Sequence, residues 1–185
     1  MSRKLDPQPL TSSKFSAFGD VIETSAGETR SINEGNTVRY HDLAKLSLLA
    51  NDGRPTVNIF RSTPLVSPLI IAMMERHPLS SQAFYPLGQQ PYLVVVAPAG
   101  ELDPAAIQCF VAQSDQGVNY HPGTWHHYSL ALGEPSDFLV IDRDGPGENC
   151  DEIFLNDADQ LNINLEVVNQ LIADTSAYKQ AGVEK

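Results

Sequence analysis

Two short segments of this chain concentrate residues able to move protons or hold ions. The first lies in the run Leu69 to His77, which reads as a strand and carries Glu75 and His77 two positions apart. Side chains alternate faces along a strand, so this carboxylate and imidazole share a face with Ile71 and Met73. With that face turned into a barrel, both groups reach its mouth. With the strand end in water, they are an inert hydrogen-bonded pair. The second segment is Gly117-Val-Asn-Tyr-His-Pro-Gly-Thr-Trp-His-His127, in which three of the five histidines of the chain, His121, His126 and His127, fall close together. Pro122-Gly123 forces a turn able to bring His121 and His126 to one pocket. Histidine serves near neutral pH as an acid, a base or a metal ligand. Of the adjacent His126 and His127 only one faces inward on a strand, and the Pro-Gly-x-x-His spacing favours His126. Trp125, the sole tryptophan, is assigned to packing.

Other residues could complete such a site. A strand returning after His77 brings Gln82 beside Glu75 and His77, where an amide can donate and accept. Tyr120, next to His121, joins the substrate-contacting set. Arg61 ends the strand Thr56 to Ser62 and shares a face with Val57 and Ile59. Facing inward, its fork would grip a carboxylate, and facing outward it would reach solvent. Asp142 shares a face with Phe138 and Val140, which either points it inward or pairs it with Arg143 or Arg39. The catalytic candidates are therefore His77, His121 and His126. The substrate-binding candidates are Arg61, Gln82, Tyr120 and Glu75. A weakly held divalent ion would take Glu75, His77, Gln82 and His126.

These residues need a scaffold, and the sequence supplies a mainly β one. The chain has 185 residues, 42% of them hydrophobic and 19% charged, which suits a single domain. Thirteen prolines and twelve glycines punctuate short apolar segments, the pattern of a sandwich or barrel. Strands are expected at 56–62, 69–77, 82–85, 91–97, 107–112, 117–120, 128–132 and 137–143. A short helix is expected from Thr11 to Gly19, capped by Thr11 or Ser12, and a helical turn or two over 42–50. Asn156 to Asp159 offers helix-start residues, and Leu161, Leu165, Val168, Leu171 and Ile172 recur at helical spacing. The reading is a barrel over 1–155 and an amphipathic C-terminal helix with a frayed end over 156–185, in one domain.

Charge and cysteine content exclude several partners. A net charge of -11 argues against nucleic acid and against an anionic membrane surface. A small anionic substrate would need locally placed cations. The apolar runs are too short to span a bilayer as a helix, and the N-terminal residues carry no apolar run of a secretion signal. Cys109 and Cys150 form no metal or redox motif and read as free thiols of a cytoplasmic protein.

The spacing resembles a cupin barrel. The first cupin motif, His-x-His followed after three or four residues by Glu, is matched by Glu75-x-His77 and Gln82. The second, Pro-x-Gly-x-x-His, is approached by Pro122-Gly123-x-x-His126, which departs by bringing the proline next to the glycine. Glu75 and Gln82 thus stand where a standard cupin has His and Glu, which argues against a tightly held metal. Mixed oxygen and imidazole ligands suit Ni, Mn or Fe over a structural zinc. Longer strings carry a more specific likeness. They are Phe15-x-Ala-Phe-Gly-Asp-Val-Ile-Glu, Val38-Arg-Tyr-His-Asp-Leu, Glu75-Arg-His-Pro-Leu, Gln82-Ala-Phe, Gly117-Val-Asn-Tyr-His, Trp125-His-His and Asp137-Phe-Leu-x-Ile-Asp-Arg143. Together they resemble the ureidoglycolate lyase family of allantoin breakdown, over about Phe15 to Asp151. The resemblance implies a cupin-like double-stranded β-barrel and a homodimer. It implies cleavage of (S)-ureidoglycolate to glyoxylate and urea, with no organic cofactor and with a divalent ion such as nickel. The competing readings are a glyoxylate-binding sensor without catalysis and a metal-dependent cupin oxygenase or isomerase.

Overall fold

The computed structural model describes residues 3–182, with side chains described to residue 175. In chain order its elements are β1 (Arg3–Leu5), β2 (Gln8–Pro9), α1 (Ser12–Phe15), β3 (Gly19–Ile22), β4 (Glu28–Ile32), β5 (Thr37–His41), β6 (Arg54–Ser62), β7 (Ile70–Ile71), β8 (Met73–Arg76), β9 (Gln82–Pro86), β10 (Tyr92–Ala97), β11 (Gln108–Ala112), β12 (Gly117–Tyr120), β13 (Trp125–His126), β14 (Leu130–Ala131), β15 (Ser136–Asp144), β16 (Asp151–Phe154), β17 (Leu161–Ile163) and α2 (Leu165–Gly182).

Two sheets build the cupin-like barrel. One runs β16-β8-β13-β10-β11-β2, with β14 also paired to β10, and the other runs β3-β12-β9-β15-β6. β10 shows how the sequence builds two cores. All six of its residues are buried, as a strand covered on both faces requires. Tyr92, Val94 and Val96 point into the barrel with Phe110, Phe84, Phe138 and Val118. Leu93, Val95 and Ala97 point to the other side, where Ile71, Met74 and Trp125 pack with Leu161, Ile163 and Val168. A small sheet, β1-β17-β7, and helix α2 cover this outer core. Among the described residues no helix is long and apolar enough to cross a membrane, which leaves strands unaddressed.

Four local expectations are corrected. The N-terminal helix is one turn, capped by Thr11 Oγ1 accepting from the Lys14 amide at 3.4 Å. It ends before Gly19, which instead begins β3 so close to β12 that a Cβ there would lie 1.9 Å from the Asn119 carbonyl oxygen. Residues 42–49 are not helical, because their amides bond elsewhere: Lys45 N–H donates to Asp20 Oδ2 at 3.0 Å and Ser47 N–H to Ser81 Oγ at 2.8 Å. Leu161 belongs to a strand paired with β1, not to the helix, and α2 starts four residues later. Asn156 to Asp159 forms a turn closed by its own side chain, with Asn156 Oδ1 accepting from the Ala158 amide at 3.0 Å. The backbone of α2 stays helical to Gly182, and residues 183–185 of the expected frayed end lie outside the described residues.

The inner core is aromatic. Phe110 is fully buried, with its ring 5.7 Å from Phe15 and 6.1 Å from Phe18, centroid to centroid. Phe110→Ala is expected to cost about 3–5 kcal/mol, the usual range for emptying a buried phenylalanine. Urea denaturation followed by tryptophan fluorescence and circular dichroism measures it.

Candidate active site

The site is built by a change of parity in one strand. The run from Leu69 is not continuous, since it breaks at Ala72 between β7 and β8. Ile71 and Met74 therefore both enter the outer core. Ile71 does not share the face of Glu75 and His77 as strict alternation had it. The break gives the expected result by another route, because Glu75 pairs in register with His126, and His126 pairs with the inward-facing Val96. Glu75 and His126 thus face the barrel interior together. Trp125, its neighbour in β13, faces the outer core and donates its Nε1–H to the Gly100 carbonyl at 3.0 Å. The Arg76 guanidinium lies 4.5 Å over the Trp125 ring and bonds Asp151 at 2.8 Å, so this arginine braces the back of the site.

Five of the expected residues converge. The His77 and His126 rings lie 5.2 Å apart, centroid to centroid. Tyr120 stacks on His126 at 4.3 Å with ring planes 2° apart. Glu75 Oε1 is 3.6 Å from His126 Nδ1, a polar contact too long for a hydrogen bond. Gln82, buried on the neighbouring strand β9, pairs in register with Tyr120 and keeps that same inward face.

Tautomers follow from the partners. His77 Nδ1 lies 2.6 Å from the Asn149 carbonyl oxygen, which can only accept, so Nδ1 carries the proton and Nε2 bears a lone pair. His126 Nδ1 faces the His127 carbonyl at 3.4 Å and the Glu75 carboxylate, which leaves its Nε2 in the same state. Both Nε2 atoms, and the Gln82 Oε1, are buried with no hydrogen-bond partner among the described residues. Orphaned buried acceptors are costly, and a group that fills them is the usual explanation. Ligand atoms of Glu75, His77 and His126 lie within 4.8 Å of one another, so the three can hold one ion. Second-partner bonds from the far ring nitrogen are how metal-binding histidines are oriented.

Burial sets the charges. It is the main cause that pushes His126 down to about 3, reinforced by His77, and His127 down to about 4. Both rings are neutral at pH 7. Burial also raises the Glu75 carboxyl, and Glu152 beside it adds to the shift, while His77 opposes it.

Two expected members stand elsewhere. Arg61 does share a face with Val57 and Ile59, but that face is the outside of the barrel: Val57 is 68% and Ile59 56% exposed. Arg61 makes a bidentate pair with Asp137, at 2.7 and 2.8 Å, away from the histidines. His121 reaches Asp20, its Nε2 at 3.4 Å, in a separate cleft lined by Ser12, Asp42 and Leu43. The turn at Pro122-Gly123 directs it away from the His77–His126 pair. Sequence reasoning missed Glu152, which pairs with Glu75 across β16 and β8, and Asn149, whose carbonyl meets His77.

Asp142 faces inward, as one of its two readings had it. It bonds neither Arg143 nor Arg39 among the described residues. Its Oδ1 accepts from Thr56 Oγ1 and, at 3.0 Å, from Asn58 Nδ2. Four further arginines are engaged elsewhere: Arg3 with the Pro104 carbonyl, Arg30 with Glu28, Arg54 with Asp144, and Arg143 with loop carbonyls, while Arg39 lies exposed on β5.

Comparison with known proteins places this arrangement. A profile described as ureidoglycolate lyase matches residues 2–164. The chain belongs to the ureidoglycolate lyase family. It is 53% identical over 150 residues to a ureidoglycolate lyase of Burkholderia mallei, covering 81% of this chain and 88% of that one. It is 46% identical over 169 residues to a ureidoglycolate lyase of Stutzerimonas stutzeri, covering 91% and 99%. Among solved structures it is similar to RmlC from Streptococcus suis in complex with dTDP-D-xylose, with a TM-score of 0.45 and 12% identity over 80% of this chain and 73% of that chain.

The histidine shifts make a pH prediction. In protein freed of ions by chelation, His126 and His127 are neutral when folded and take a proton near pH 6.5 when unfolded. Their contribution is complete above pH 6.5 and is lost as pH falls toward about 3 to 4. Within that window each group costs up to about 1.4 kcal/mol per pH unit. Glu75, with its raised carboxyl, acts with the opposite sign at lower pH. Urea midpoints between pH 7.5 and 5.5 should fall for wild type and fall less steeply for His127→Gln.

Proposed function

We propose that this protein cleaves (S)-ureidoglycolate to glyoxylate and urea, as a lyase working in the breakdown of allantoin. The single observation that carries the reading beyond family membership is the convergence of two imidazole lone pairs, a carboxylate and a buried amide oxygen. All four are acceptors. They would repel an anionic hydroxy acid unless a cation sat among them, and among the described residues the expected Arg61 is paired with Asp137 away from them. A divalent ion such as nickel held by Glu75, His77 and His126 fits these donors, and Gln82 stands beside them. Neutral imidazole with carboxylate oxygen is a suitable set for such an ion. When bound, it would supply a Lewis acid that lowers the pKa of the substrate hydroxyl.

The reaction needs one proton moved. The hydroxyl O–H bond breaks, its electrons form the glyoxylate carbonyl, and the C–N bond electrons leave on the urea nitrogen, which takes up a proton. No oxidant or organic cofactor enters. The chain's own residues meet these demands by position. His77 and His126 hold the hydroxyl end in a fixed orientation. A carboxylate has two oxygens, so Glu75 can offer one to an ion and use the other to pass the proton. Tyr120, flat against His126, keeps that ring from turning and walls it from water.

The rest of the reading is a homodimer in the cytoplasm. Val57 and Ile59 leave an apolar strip on the outer face of β6 of the kind a second copy covers. Cys109 and Cys150 are unpaired, which suits a reducing compartment.

Incubation with racemic ureidoglycolate should release glyoxylate and urea in equal amounts without ammonia. His77→Ala and His126→Ala should each lower turnover by about 10²-fold or more. Ammonia in place of urea, or near-wild-type rates in both variants, overturns the assignment. Calorimetric titration with Ni²⁺ should give one site per chain. Its affinity should drop by at least about tenfold in Glu75→Ala, which no loss of activity alone would report.

A further inference from the structure

We infer that the inner faces of β6, β15 and β9 form a subsite for a ureido group, built from Thr56, Asn58, Asp142 and Gln82 and continuing from the histidine pair along the barrel interior. This rests on the functional reading above and names the recognition chemistry of its far end.

The placement follows from register. Thr56 pairs with Asp142, and Asn58 with the inward-facing Val140. Ile141 pairs with Ala83, so one step further along the same antiparallel ladder Asp142 stands opposite Gln82. Gln82 in turn pairs with Tyr120, which stacks on His126. One polar row therefore runs from the histidines through Tyr120 and Gln82 to Asp142 and Thr56, on an inner face that elsewhere carries Phe84, Phe138 and Val140.

The hydrogen bonds inside this row use up the donors nearest Asp142. The Thr56 hydroxyl and the Asn58 amide N–H are spent on Asp142 Oδ1, and Asn58 Nδ2 also reaches Thr56 Oγ1 at 3.2 Å. Asp142 Oδ2 has no hydrogen-bond partner among the described residues. The Gln82 side chain is only 6% exposed and its Oε1 is buried without a partner. What remains available is acceptor capacity at the Asp142 carboxylate and Gln82 Oε1, with the Gln82 Nε2–H donors beside it. A ureido group offers the complement, uncharged, with N–H donors for the acceptors and a carbonyl for the Gln82 N–H. A second carboxylate would meet Asp142 as a like charge and be rejected. The substrate is thereby read from both ends, with its hydroxy-acid end at the histidines and its ureido end at Asp142.

The test uses binding, so that it stands apart from turnover. Full-length protein supplied with Ni²⁺ is titrated with N-carbamoylglycine, which has the ureido and carboxylate groups but no hydroxyl to react, with glycolate, which lacks the ureido group, and with tartronate, which has a second carboxylate. Wild type should prefer N-carbamoylglycine to tartronate. Asp142→Ala should weaken N-carbamoylglycine by about 10–100-fold, the range for losing a charged hydrogen-bond partner, and leave glycolate within about twofold. Asp142→Asn, which keeps the shape, should narrow the preference over tartronate, and it carries the comparison if Asp142→Ala does not fold. Equal weakening of N-carbamoylglycine and glycolate, no change in either, or failure of wild type to bind N-carbamoylglycine overturns the subsite. Wild type that binds N-carbamoylglycine in this way yet releases no urea from ureidoglycolate overturns the lyase reading alone.

Discussion

The constraint on which the site depends is that β13, two residues long, must serve two cores at once. Trp125 fills the outer core and His126 the inner one, each fixed by register with β10. Register fixes the face of every side chain, and a slip of one residue would exchange them. An imidazole would then sit among Ile71, Met74 and Leu161, and an indole would block the barrel. The large apolar burial on both sides of β10 thus holds a catalytic-type side chain in a position that its own interactions would not enforce.

Much of this was legible in the residues. Glu75 and His77 share a face, His126 and not His127 points inward, and Gln82 returns beside them, because alternation and a single tight turn decide all three. Arg61 was misread for an instructive reason. Alternation places it with Val57 and Ile59, but apolar residues mark a core only if something covers them, and here their face of β6 lies open. His121 was misread because closeness in sequence to His126 does not survive a turn that sends the two rings to different sides. The break at Ala72 carried no glycine or proline to announce it. It arises because β7 joins the small sheet and β8 the barrel, a demand of tertiary pairing.

The electrostatics of the barrel are also divided. At the histidine end burial strips charge, leaving the His126 and His127 rings neutral and a carboxyl reluctant to ionise. At the Asp142 end the carboxylate is only partly buried and is held by a hydroxyl and an amide. A small molecule lying between them experiences a polarity that runs along its length, which orients it before any bond changes.

The proton on His77 is fixed by a main-chain carbonyl, that of Asn149. A carbonyl of this kind is present whatever residue occupies the position, so no single codon change can delete it. The side chain of Asn149 only steadies the loop, through the Leu79 amide at 2.8 Å and the Ser80 hydroxyl at 2.9 Å. The tautomer of this ring is therefore inherited with the path of the chain and is insulated from drift in the sequence around it.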